Sequence, residues 1–213
     1  RLTAIIAGTT RPAQQRSFFL YAGPIADLPT AKIAGAVNVK ADGQGGFCVE
    51  NDRYRARIMP EGAHVYAFHV KAANDLDVTA AGETDWRGFS DIGSAGRNAA
   101  CQLTLESAGP VLARIRCTSK SGLEKVLNFW AGTGWYEAVL EQAVPYYWDF
   151  DGLSVMSSQS ATPGKALFSD GQSLPLPQPG QLSLARPGTT WGLKRRGDAL
   201  TLALITPGSP GMH

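Results

Sequence analysis

The sequence predicts an all-β chain, an antiparallel β-sandwich with few or no helices. Three observations carry that expectation. The apolar segments are short and rich in β-branched or aromatic residues, and several alternate with a period of two. The 24 glycines and 13 prolines punctuate the chain at short intervals, as strands joined by turns require. Nowhere does a capped amphipathic period run for three helical turns; AVLEQAV (138–144) comes nearest, and Pro145 stops it while the neighbouring aromatics favour a strand.

The elements follow in order. SFFLY (17–21) and AGAVNVKA (34–41) are the first candidate strands. RYRARI (53–58) sets Arg53, Arg55 and Arg57 opposite Tyr54, Ala56 and Ile58, and HVYAFHV (64–70) follows it. CQLTLE (101–106) precedes VLARIRC (111–117), where Val111, Ala113, Ile115 and Cys117 share one side and Leu112, Arg114 and Arg116 the other. KVLNFW (125–130), WYEAVLEQAV (135–144), LSVMSS (153–158), WGLKR (191–195) and ALTLALI (199–205) complete the set. Three hairpins are expected, through the Gly-Pro of SAGP (107–110), the Ser-Gly of KSG (120–122) and the Gly-Asp of RGD (196–198). The proline-rich stretch 172–188 reads as a long surface loop or crossover. The chain reads as a single sandwich domain over 1–213. PGSPGMH supplies no closing element, which suggests a module of a longer protein with further domains.

Composition excludes several classes. A hydrophobic share of 44% with 18% charged residues is a globular balance, and a net charge of +2 is too small to argue for nucleic acid. No apolar run approaches the length of a bilayer span. Cys48, Cys101 and Cys117, with no CxxC pair, exclude a dense disulfide scaffold and a zinc ribbon; three buried thiols is the preferred reading. A periplasmic or secreted location is favoured over the cytoplasm. No GxSxG, HExxH, P-loop or dinucleotide fingerprint is present.

The candidate chemistry concentrates in WAGTGWYEAVLEQAVPYYWDFD (130–151). As a strand, 135–144 puts Trp135, Glu137, Val139 and Glu141 on one face and Tyr136, Ala138, Leu140 and Val144 on the other, the second being core. The two glutamates stand four residues, about 13 Å, apart along the backbone, too far for a glycosidase pair unless they lean together. Either could instead pair with Asp149 or Asp151. Trp130, Trp135, Tyr147 and Trp148 are candidate stacking rings, since aromatic faces pack on the C–H faces of sugars while carboxylates accept from hydroxyls.

Other features weigh less. The arginine stripes, Arg55 foremost, would suit a polyanion such as a uronic-acid polymer, although a solvated face with cross-strand ion pairs reads better. No cofactor is expected. The acidic segment 74–93 holds Asp75, Asp77, Glu83, Asp85 and Asp91, oxygen ligands of the calcium type, in a spacing that fits a solvated loop better than an EF-hand. Trp86 in that segment is a candidate rim over a cleft. His64 and His69 are five apart and face opposite sides of a regular strand; either is a candidate general base.

NDRYRARIMPEGAHVYAFHVK (51–71), LTLESAGPVLARIRC (103–117) and WGLKRRGDALTLALITPG (191–208) together resemble the strand pattern of galactose-mutarotase-like supersandwich domains. Among carbohydrate-active proteins the pattern resembles the central sandwich of exo-rhamnogalacturonan-lyase-like proteins. The resemblance implies a β-supersandwich and a place in polysaccharide degradation, as part of a polysaccharide lyase or glycoside hydrolase before an aldose epimerase. His64 and His69 do not match the histidine pattern of the epimerases, and nothing encodes the helical toroid of the larger enzymes.

The expectation is therefore a domain that binds a poly- or oligosaccharide across a concave sheet and contributes to its cleavage or epimerisation. The alternative is a non-catalytic structural or protein-interaction domain whose aromatics are core.

Overall fold

In the computed structural model the described residues are 33–62, 64–79, 100–120, 124–140, 164–176, 186–187, 191–196, 200–205 and 211–212. They are almost wholly strand and turn, and the sheets are antiparallel. The first sheet is a five-stranded meander of β1 (Asn38–Ala41), β2 (Phe47–Glu50), β3 (Tyr54–Ile58), β4 (Val65–Val70) and β5 (Leu76–Asp77). The second is a four-stranded meander of β6 (Cys101–Ala108), β7 (Leu112–Ser119), β8 (Glu124–Trp130) and β9 (Tyr136–Leu140). A further four-stranded sheet joins β10 (Gly164–Phe168), β11 (Ser173–Leu176), β13 (Trp191–Arg196) and β14 (Leu200–Ile205) in the order β11-β10-β13-β14. A short ribbon pairs β12 (Arg186–Pro187) with β15 (Gly211–Met212). Among the described residues the one helical piece is a 3-10 turn at Lys71–Ala73, and no helix is long and apolar enough to cross a membrane.

The first two sheets form a sandwich, because the period-two alternation gives each one apolar face. Val49, Tyr54, Ala56, Ile58 and Phe68 from one sheet join Ala113, Ile115, Cys117, Leu127 and Phe129 from the other in a single buried cluster. Tyr136 and Ala138 of β9 pack against it. Four rings bind the layers together. Tyr54 stacks on Phe68 (centroids 4.8 Å) and Phe129 on Tyr136 (5.4 Å), while Tyr54–Phe129 (6.2 Å) and Phe68–Tyr136 (6.0 Å) close the square. Such aromatic pairs add roughly 0.5–1.5 kcal/mol each beyond the area they bury. The buried hydroxyl of Tyr54 has no hydrogen-bond partner among the described residues, and burial pushes its ionisation well above the ordinary phenol range.

Backbone contacts stitch the rims. The Cys101 amide donates to the Pro60 carbonyl (3.0 Å) and Val37 to Pro110 (2.9 Å). At the end where β8 turns into β9, the Gly132 amide donates to the Gly35 carbonyl (2.9 Å). Gly35 sits at φ +65°, and a Cβ there would lie 2.5 Å from Asp52 Oδ1 and 2.8 Å from Gly132 Cα. Only glycine satisfies both the left-handed backbone and that close approach.

The strands expected at 53–58, 64–70, 101–106, 111–117, 125–130, 191–195 and 199–205 are present within a residue or two of their bounds, and all three hairpins pair as antiparallel neighbours. The described part of 135–144 is extended rather than helical. Segments 17–21 and 153–158 lie outside the described residues. Two expectations are corrected, and one strand is added to those expected. FCVE (47–50) is a strand, because the glycine-rich run before it is a hairpin turn in which Asp42 Oδ1 accepts from the amides of Gln44 (2.8 Å) and Gly46 (2.9 Å). Ser173–Leu176, inside the stretch expected to be loop, is β11; it lies at the edge of its sheet, where Pro175 leaves no interior ladder bond unmade. Gly211–Met212 pairs with Arg186–Pro187 where the sequence suggested no closing element.

The three cysteines are free thiols; Cys101 and Cys117 are buried as expected, whereas Cys48 on β2 is half-buried. A bulge between β3 and β4 leaves Tyr66 as the extra residue, since Ile58 pairs with Val65 and Arg57 with Ala67. The inserted residue breaks the alternation, so Val65 and Phe68 both reach the core although they are three apart.

Candidate functional site on the outer face of the second sheet

The face of the β6–β9 sheet turned away from the core carries a continuous polar network. Glu106 occupies a bulge in β6, where Leu105 pairs with Ile115 and Ser107 with Arg114. Its carboxylate accepts from Arg114 Nε (2.7 Å) and from Arg116 Nε on β7. Those guanidiniums, Arg116 before Arg114, hold Glu106 below the usual carboxylate range against the opposing effect of burial. Arg114 then donates to Asn128 Oδ1 (3.4 Å) on β8, and Asn128 Nδ2 donates to Glu137 Oε2 (2.8 Å) on β9. The chain of contacts crosses all four strands along residues that the register sets side by side: Arg114 opposite Asn128, and Asn128 opposite Glu137.

Glu137 lies at the exposed end of this network. The residues two before and two after it share its face, and they are Trp135, 54% exposed, and Val139, 39% exposed. Asn128 beside it is buried, as is Val126 further along the same row of β8. The Trp130 ring stands 6.5 Å from that of Trp135, tilted by 49°. Trp130 Nε1 is buried with no hydrogen-bond partner among the described residues.

The turn holding the two tryptophans is fixed from the first sheet. Buried Asn51 donates through Nδ2 to the carbonyls of Trp130 (2.9 Å) and Thr133 (2.9 Å). Its Oδ1 accepts from the amides of Arg53 (2.8 Å) and Tyr54 (2.9 Å), which caps the β2–β3 turn. Thr133 Oγ1 stands 3.1 and 3.0 Å from the Trp130 and Trp135 carbonyls and donates its one proton to either. The backbone on either side of the aromatic pair is therefore pinned.

The candidate residues divide between two faces. Glu137, Trp130 and Trp135 come together on this one. Arg55 and His69 lie on the outer face of the first sheet, on the other side of the core. There Arg55 is paired with Asp75 (2.6 Å), and His69 stands between Asp75 (3.9 Å) and Asp77 (3.7 Å). Arg57 meets Asp42 (3.2 Å) and Gln44 (2.6 Å), so the arginine stripe is met by acids and amides along its length. Burial pulls the Asp42 carboxyl upward, but the amides of Gln44 and Gly46 and the Arg57 guanidinium outweigh it and hold Asp42 low. His64 is buried just before β4, its ring 6.1 Å from Tyr66. Glu141, Asp149, Asp151, Tyr147, Trp148 and Trp86 lie outside the described residues, as do Glu83, Asp85 and Asp91 of the acidic segment. Among the described residues no group of His, Cys, Asp or Glu is arranged to hold a metal ion.

Sequence reasoning passed over Asn51, Glu106 and Asn128. A polar residue inside the apolar run KVLNFW was the available signal for Asn128, and the Asn-Asp turn before β3 was the one for Asn51. No family model matches this chain, and no curated relative does.

Proposed function

We propose that the chain is a glycan-binding β-sandwich module, of the mutarotase-like kind its strand pattern resembles, and that the outer face of β8–β9 carries the binding site. One observation supports this above the others: the two large hydrophobic residues exposed among the described residues, Trp135 and Val139, bracket the exposed carboxylate Glu137 on a single strand face. A sugar presents the matching chemistry, with C–H faces for the indole and hydroxyls for the carboxylate. Asn128 orients Glu137, and Asn51 with Thr133 fixes the turn, so little ordering remains for the ligand to impose.

A contribution to cleavage or epimerisation needs a second group beside Glu137. Glu106 does not serve. It is already held by two guanidiniums, and three strand spacings, roughly 14 Å, separate β6 from β9. Glu141, Asp149 and Asp151 are the candidates the sequence supplies.

The second reading, a structural or interaction domain, is favoured by Tyr136 and Phe129, which are core rather than surface. Tryptophan fluorescence and retention on immobilised glycans separate the two. Binding predicts a blue shift on adding oligosaccharide and loss of retention in Trp135→Ala. Equal retention of Trp135→Ala and wild type on every glycan bound would overturn the proposal.

A further inference from the structure

We infer that the β8–β9 face selects a neutral or amine-bearing glycan and disfavours a uronic-acid polymer; this rests on the glycan-binding proposal above. The two arginines of this face are what would recommend an anionic ligand, and both are engaged. Arg114 and Arg116 share the carboxylate of Glu106, Arg114 also reaches Asn128, and Arg116 lies 3.7 Å from Glu124. A guanidinium whose charge is already shared with the Glu106 carboxylate attracts a second carboxylate less strongly, and drawing it away would forfeit the contact with Glu106.

Position reinforces the point. The arginines stand on β7, two strand spacings or about 10 Å from β9, where Trp135 offers its exposed indole. The charged group beside that indole is Glu137, two residues along the same face, and it carries the opposite sign. Its Oε2 accepts from Asn128, while Oε1 has no partner among the described residues. The strand residues of this face supply three carboxylates, Glu106, Glu124 and Glu137, against two guanidiniums. A uronate stacked on Trp135 would therefore meet net negative charge, whereas a hydroxyl or an ammonium would find an acceptor.

Affinity electrophoresis of the full chain in gels containing a neutral β-glucan, polygalacturonate or chitosan tests this, with wild type, Trp135→Ala and Glu137→Gln run side by side at low and high salt. The expected result is retardation of wild type by the neutral polymer or chitosan at least fivefold stronger than by polygalacturonate, lost in Trp135→Ala. In Glu137→Gln the discrimination against polygalacturonate narrows severalfold. Strongest retardation by polygalacturonate, still dependent on Trp135, would overturn the charge inference and leave the binding face standing. Retardation by none of the polymers would overturn both.

Discussion

The Asn128 side-chain amide, buried in the middle of β8, donates to the exposed Glu137 carboxylate on β9 at 2.8 Å and so couples the interior of the sheet to its solvent face. Substituting this asparagine separates stability from function. Asn128→Ala removes the bond and leaves a small cavity, at an expected loss of about 1–2 kcal/mol. Asn128→Leu fills the space with apolar surface, and its stability is expected to stay within about 1 kcal/mol of wild type. Both release Glu137. Urea unfolding of the two variants alongside glycan retention checks the separation: retention falls in both, whereas stability falls chiefly in the alanine variant.

Asn51 makes four hydrogen bonds that join the β2–β3 turn to the turn carrying Trp130 and Trp135. Asn51→Ala removes the side-chain partner of the Thr133 carbonyl and of the Arg53 and Tyr54 amides, and one of two partners of the Trp130 carbonyl, and is expected to cost about 2–4 kcal/mol. Asn51→Asp keeps the acceptor for Arg53 and Tyr54 but loses the donors to Trp130 and Thr133, and places a charge against two carbonyl oxygens. It is expected to be at least as destabilising. Denaturant midpoints measure both, and a midpoint for Asn51→Asp equal to wild type would show that the turn does not depend on this side chain.

The thiols differ in access. Cys48 is half-buried on the outer face of the first sheet, whereas Cys101 and Cys117 face the core. Under native conditions a thiol reagent is expected to modify Cys48 first, with all three reacting after denaturation without reductant. Mass spectrometry after timed alkylation reads the order directly. Modification of Cys117 as fast as Cys48 would contradict the packing of β7 in the sandwich.

Most strands were legible because one face is buried and the other meets water; β8, buried on both faces from Lys125 to Phe129, is the exception. In 111–117 the alternation separates Ala113, Ile115 and Cys117 from Arg114 and Arg116, and the same split appears across the two layers. The division of 135–139 into Tyr136 and Ala138 inward, Trp135 and Glu137 outward, was legible for the same reason. What escaped depends on partners distant in sequence. Nothing local marks that Asn51 reaches residue 133, or that Glu106 collects two guanidiniums from a neighbouring strand. Nor does a strand show which outer face it will share: Arg55 and His69 read as plausible companions of Glu137 until the two sheets set them on opposite sides. Tyr66 shows a further limit, since a bulge changes the parity of a strand without any change in its composition.

Glu106 gives the fold a defined response to acid. Its carboxylate is held below the ordinary range by Arg116 and Arg114, so folding favours the ionised form. A group with a depressed folded pKa contributes stability that is fully present above its unfolded value, near 4.5, and is lost as the pH falls through the lower folded value. Glu106→Gln removes that contribution at every pH. At neutral pH the variant is expected to be less stable than wild type by about 1 kcal/mol, a modest figure because the pair is partly solvated. Below pH 4.5 the two unfolding curves should converge, as wild-type Glu106 itself becomes protonated. High salt should shrink the neutral-pH difference, since it screens a surface network of this kind. Thermal or urea unfolding from pH 7 down to pH 3, at low and high salt, measures both trends, and a difference that stays constant through the acid range would show that the Glu106 charge is not what joins β6 to β7.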